Sequence, residues 1–196
     1  MSQTLAKLIS TDLSALRPRL ALSAEASVVL DGCTLVPDAL ERLEAAGLLN
    51  EAAKLVANAL PKREAVWWAC MCSGHTAPAA LPEADRLARE SAEQWVRQQT
   101  DAARRQAMVF AEQADFASPE AWVGVAAFWS GDSLAPEGQA AVPPAPHLYS
   151  SAVAGAIALA AVRGNPLNQS ARLKRFLESG RNIAAGGPGR LPLEEV

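Results

Sequence analysis

The chain has 196 residues, half of them apolar and a fifth charged, and Lys+Arg 18 against Asp+Glu 21 leaves a net charge of −3. That length suffices for one core that hides roughly 70% of the unfolded chain's surface, and the composition is globular rather than disordered. A small negative charge supplies no sequence-wide positive field, which disfavours nucleic acid and anionic membranes as partners.

Residues Met1, Ser2, Gln3, Thr4, Leu5, Ala6 and Lys7 carry no cationic stretch leading into a long apolar run. A secretory signal is therefore not expected, and a cytoplasmic location is. Val28, Val29 and Leu30 are the one place where a short strand competes with a helix end. Pro37 and Asp38 open a periodic stretch carrying Leu40, Leu43 and Ala46, with Gly47 where a C-cap belongs. A second helix starts near Asn50, with Ala53, Val56, Ala57 and Leu60 on one side, and is stopped by Pro61. Pro61 suits the first turn of a third helix, which runs to about Ser73 and Gly74. The short links between these helices leave a helical-repeat arrangement open for the N-terminal half, although no fixed period recurs three times.

After Pro78 and Pro82, an apolar stripe through Leu87, Ala88, Ala92, Trp95 and Val96 faces away from acids and arginines spaced three and four apart. The stripe continues through Ala103, Ala107 and Phe110, so 82–115 reads as one helix or as two with a break near Thr100. Ser118, Pro119 and Glu120 are a start signal of N-cap, first-turn proline and first-turn acid. The helix they open holds Trp122, Val123, Val125, Phe128 and Trp129 and ends at Gly131. Residues 132–146, with five Pro or Gly, read as an exposed loop of about fifteen residues, a length that is uncommon without a role. The next helix, 148–163, spaces Ala152, Ala156 and Ala160 by four beside Gly155, and small residues in a row let a neighbouring backbone come close. A last helix from Asn168 is capped at Gly180. The expectation is thus an all-α, single-domain bundle of about seven helices over 1–183, with 184–196 as a flexible C-terminal tail.

The densest apolar segment contains Trp67 and Trp68 with Cys70, Met71 and Cys72, on a helix apolar nearly all round. Such a helix belongs in the core. Cys33, Cys70 and Cys72 are an odd number, and the last two stand too close along one helix to pair, which fits free thiols in a reducing compartment. Cys70, Cys72 and His75 raise a zinc reading, but Cys-x-Cys is not the usual ligand spacing and no second ligand pair follows. No nucleophile motif, phosphate loop or His-Glu-x-x-His occurs, and Glu194 beside Glu195 reads as solvated tail charge. No catalytic, metal or cofactor-binding residue is assigned, and no cofactor is expected. Arg63 and Glu64 stand at the entrance of the tryptophan helix, where an ion pair fixing a helix crossing competes with an interaction surface. Together with Trp67, Trp68, Trp122 and Trp129 they are the candidate structural or partner-binding residues.

Three stretches carry a resemblance: Leu60-Pro61-Lys62-Arg63-Glu64-Ala65-Val66-Trp67-Trp68-Ala69-Cys70, the small-residue helix over 152–162, and Phe176-Leu177-x-x-Gly180-x-x-Ile183-Ala184-x-Gly186. The chain resembles an uncharacterised family of bacterial proteins associated with type VI secretion gene clusters, near genes for effector-loading chaperones and adaptors. The resemblance covers 38–74 and 148–187. It implies a cytoplasmic helper acting through protein contacts and carries over no catalytic residue. The resulting expectation is a non-enzymatic adaptor or co-chaperone whose partner is a secretion effector or its loading chaperone, bound through a helical face and the 132–146 loop. The alternatives are a small metal-binding or enzymatic domain centred on Cys70, Cys72 and His75, and a toxin-immunity protein, which would show clustered charge of one sign.

Overall fold

The computed structural model describes residues 5–194, and among them it is all-helical, with no strand beyond an isolated bridge between Asp12 and Leu35. Ten α-helices follow in order: α1 (Leu13–Leu16), α2 (Ala24–Val29), α3 (Val36–Ala45), α4 (Leu49–Ala59), α5 (Lys62–His75), α6 (Glu83–Gln98), α7 (Asp101–Gln113), α8 (Pro119–Trp129), α9 (Leu148–Val162) and α10 (Gln169–Ala184). The expected count of about seven is therefore too low, for local reasons. α1, of four residues, and α2, of six, are short helices started by side chains: Asp12 accepts from Ser14 N, and Ser23 accepts from Ala26 N. They show too little periodicity to be read from sequence. The ambiguous Val28 and Val29 fall in α2. The stripe across 82–115 is two helices, because Gln99 turns left-handed (φ 51°) and Thr100 caps α7 by accepting from Ala103 N.

α5 forms the hub because its sequence is apolar around most of its circumference. It packs on α4, α6, α8, α9 and α10. Trp68 at its centre is completely buried, and its indole N–H donates to Phe176 O of α10 at 2.7 Å. Burying that ring removes about 150–250 Å² from water, worth about 4–6 kcal/mol on the area scale. α4 meets α9 and α10 as well as α3, so the N-terminal half is not a repeat stack, in which each unit touches only its neighbours.

Two glycines set how closely the helices approach. A Cβ at Gly124 would lie 2.7 Å from the Ala107 carbonyl oxygen, so α7 and α8 cross with bare backbone between them. A Cβ at Gly180 would lie 2.9 Å from Val56 Cγ1 and 3.0 Å from Trp68 Cε2, so α10 leaves room for the central indole. Gly155, in the alanine row of α9, meets only Trp122 Cε3, at 4.0 Å.

The 132–146 loop closes on itself through Leu134 N to Val142 O (2.7 Å), and it is pinned to α7 by Arg105 donating to Ala135 O (2.9 Å). The segment expected as a flexible tail from 184 lies against the bundle through 194, held by the contacts described below. The rest of that tail, Glu195 and Val196, and the opening residues Met1 to Thr4 lie outside the described residues. No helix among the described residues is long and apolar enough to cross a membrane.

Candidate functional site

Pro61 at the N-cap turns the chain sharply into α5 and puts Arg63, Glu64 and Trp67 on one side of its first two turns. Arg63 reaches across to α6, and its Nε donates to Val96 O at 2.9 Å. That carbonyl lies in the last turn of α6, where intrahelical partners run out. Glu64, mostly buried, accepts from Arg63 and from Lys7 Nζ, each at 3.5 Å. Lys7 is in turn held by its backbone N–H, which donates to Ala184 O at 2.8 Å. Trp67, one turn further along α5 and half-buried, donates its indole N–H to Pro188 O at 2.8 Å.

These groups line a cleft of about 260 Å³, together with Arg97, Ile183 and Gly187. Lys7, Arg63 and Arg97 bring three cations to it, against the single carboxylate of Glu64. Arg97 is partnered by Glu93 at 2.9 Å but remains 65% exposed at its side chain. Exposed pairs of this kind contribute little to stability and leave the cations free to re-pair. The cleft is thus a small positive site with an indole in its wall, on a chain of net negative charge.

The other expected residues divide between core and surface. Trp68 is core. Trp122 and Trp129 lie seven residues apart on α8, both half-buried, in an edge-to-face pair with ring centroids 6.4 Å apart. Trp122 also donates its N–H to Phe116 O at 3.0 Å. They form an aromatic ridge on α8, separate from the Trp67 cleft.

Cys70 and Cys72 are wholly buried. Burial pushes both thiols well above 9.0; Glu93 adds to the effect at Cys70, and the neighbouring Cys70 adds to it at Cys72. Among the described residues no three His, Cys, Asp or Glu side chains converge as metal ligands. The zinc reading required Cys70, Cys72 and His75 to meet in an open pocket. Helical spacing instead points the sulfurs into the core, while His75, itself buried, turns toward the 185–194 segment.

That segment was missed. It runs as a strap along a trough between α5 and α10. Asn182 Oδ1 accepts from Gly189 N at 2.8 Å, and Ser179 Oγ donates to Gly189 O at 2.5 Å. His75 Nδ1 contacts Pro192 O, which fixes Nδ1 as the protonated nitrogen because a carbonyl only accepts. His75 O accepts from Glu194 N at 2.8 Å. Arg172 clamps the Glu194 carboxylate (Nη2 to Oε2 2.7 Å) and also donates to Ala161 O at 3.1 Å and to Arg163 O, the carbonyls at the end of α9. Arg172, by its hydrogen bonds and charge, holds the Glu194 carboxyl below its ordinary 4.5 against the opposing effect of burial, with lesser help from His75 and Arg175. Beside this clamp, Arg163 pairs with the fully buried Glu120 and donates to Ser73 O. Of the apolar residues Leu191, Pro192 and Leu193 only Leu191 packs against the core, and the sequence carries little other signal for the docking, which runs mostly through backbone groups.

A family model described as "Family of unknown function (DUF6931)" matches residues 39–184. No match to the chain was found among curated proteins or among solved structures.

Proposed function

We propose that this chain, which belongs to the family of unknown function DUF6931, is a non-enzymatic adaptor or co-chaperone that holds an acidic segment of a partner protein at the Trp67 cleft. One observation carries the reading: Lys7, Arg63 and Arg97 gather round a half-buried indole, against one carboxylate, on a chain whose net charge is −3. A cationic rim fixes the sign of the partner's charge and speeds encounter, while an aromatic wall supplies contact area at low entropic cost. Tryptophan and arginine are also the residue types that most often anchor protein interfaces. The resemblance of the Leu60-to-Cys70 run and of the α9 and α10 patterns to proteins from type VI secretion clusters suggests the setting. In that setting the partner is a secretion effector or its loading chaperone, and the site of action is the cytoplasm.

The experiment is co-purification from the native host with identification of the retained proteins by mass spectrometry. It compares the wild-type chain with Arg63→Glu, Trp67→Ala and, as a control on the separate ridge, Trp122→Ala. The expected result is one acidic partner retained by wild type and by Trp122→Ala and lost at least tenfold from both cleft variants. A partner retained equally by all four proteins would sink the reading.

A further inference from the structure

The strap from 187 to 194 is bound in the manner of a peptide ligand. Its contacts run mostly from trough side chains to strap backbone: Trp67 to Pro188 O, Ser179 and Asn182 to the two sides of Gly189, and His75 to Pro192 O. Such contacts read extended shape rather than sequence, and Arg172 adds one side-chain preference, for a carboxylate at the position of Glu194. The strap covers little apolar surface: Leu191 is half-buried, while Pro188, Arg190, Pro192 and Leu193 are exposed. A segment held chiefly by hydrogen bonds and one ion pair, with Leu191 its one apolar side chain against the core, opens more easily than helices packed in a core. The trough beneath it is polar and costly to leave bare, since each unpaired buried donor or acceptor costs about 1–3 kcal/mol. His75, 1% exposed, already has its Nε2 buried without a partner.

The strap also separates two hollows. Gly187 and Pro188 wall the Trp67 cleft on one side, and residues 188–192 wall a hollow of about 540 Å³ with His75, Arg175, Glu178 and Asn182 on the other. Lifting it joins them into one groove. That groove would carry Lys7, Arg63, Arg97 and Arg175 along its rim and a freed Arg172 at its end, against the carboxylates of Glu64 and Glu178.

We propose that this trough is a receptor for an extended acidic peptide, that the chain's own 187–194 segment occupies it in cis, and that a partner binds by displacing that segment. The partner here is the one invoked by the adaptor reading, on which this step rests. The glycine and proline backbone of the strap supplies the shape, and the five rim and clamp cations set the charge of the incoming segment.

The test uses the full chain carrying Glu194→Lys, which unlatches the strap from Arg172, and labelled synthetic peptides followed by fluorescence anisotropy. One peptide copies residues 186–194, and a second copies them with glutamate at the Arg190 position. The copy should bind the Glu194→Lys chain at least tenfold more tightly than wild type, and the glutamate version more tightly still. Hydrogen exchange of the 187–194 amides should be at least tenfold faster in Glu194→Lys, with α5 amides unchanged. Glu194→Gln, a milder unlatching variant on the strap itself, should show the same direction should Glu194→Lys fold poorly. Equal peptide binding to wild type and variants, a weaker glutamate peptide, or strap amides that exchange only together with α5 would each overturn the proposal. A concentration-dependent dimer of wild type formed by exchange of the strap would make the occupant a second copy and overturn it as well. These readouts involve no cellular partner, so a trough that binds peptide while co-purification yields nothing leaves the trough and its cis occupant standing and removes the adaptor reading together with its partner.

Discussion

At the scale of single residues, the structure separates glycines that look alike in sequence. Gly155 sits in the alanine row of α9, where composition alone expects the closest backbone approach, yet an added Cβ would find its nearest neighbour 4.0 Å away. Gly124 sits in α8 among larger residues, and a Cβ there would press to 2.7 Å on the Ala107 carbonyl and 3.2 Å on Ala111 Cβ. Both are helical, so alanine gains about 0.5–1 kcal/mol of intrinsic preference at either position. At Gly124 the obstacle is backbone, which moves only if α7 and α8 separate, and overpacking of that kind costs about 1–3 kcal/mol. Gly124→Ala should therefore lower the thermal midpoint measured by circular dichroism, whereas Gly155→Ala should leave it unchanged or raise it. The reverse order would mean that the tight crossing lies at α9 rather than between α7 and α8. Which glycine carries the contact was not legible in the sequence, because it depends on which faces meet. That Trp68 belonged in the core was legible, because no helix apolar on every side has another place to go.

At the scale of elements, helices with strong punctuation were readable and those without it were not. Ser118, Pro119 and Glu120 announced α8, and the structure starts that helix there, with Ser118 accepting from Ala121 N. The break after Gln98 needed a non-glycine residue to turn left-handed, and sequence carries little signal for that. The docking of 187–194 is hard to read from sequence for a related reason: glycine and proline mark the absence of helix but do not distinguish a mobile chain from an extended one bound by its neighbours. Its docking has a pH dependence that can be derived. The Glu194 carboxyl is held below 4.5 when docked, chiefly by Arg172. A group whose pKa is lowered by docking contributes its full share above the free value, and the share is lost as pH falls through the docked value. The strap amides of Gly189 and Glu194 should therefore lose protection relative to α5 as the pH falls through and below the free value of 4.5, read by hydrogen exchange corrected for intrinsic rates. Glu194→Gln, which cannot ionise, should show weaker protection at neutral pH and no acid-dependent limb. An acid-dependent limb that persists in that variant would assign the effect to another group.

At the scale of the whole molecule, α5 makes the fold interdependent. It touches five other helices, and its indole is hydrogen-bonded to the backbone of α10, so it has no route out that leaves its neighbours in place. Cys70 and Cys72 stand on this helix with no exposure, and burial keeps both as thiols well above the neutral range. A thiol reagent reacts with the accessible thiolate, so both sulfurs wait on an opening that solvates α5. Cys33 is different: it is 8% exposed and follows α2, which packs mainly on α3, away from that hub. Opening that end disturbs few contacts of α5. Labelling of the native protein at neutral pH should therefore run in two phases, one thiol first and then two together, and the second phase should follow the loss of helical circular dichroism across a denaturant series. Cys33→Ser should remove the first phase and leave the second in step with unfolding. If Cys70 or Cys72 reacted well ahead of helix loss in that variant, α5 would be opening on its own, and the bundle would not be organised around it.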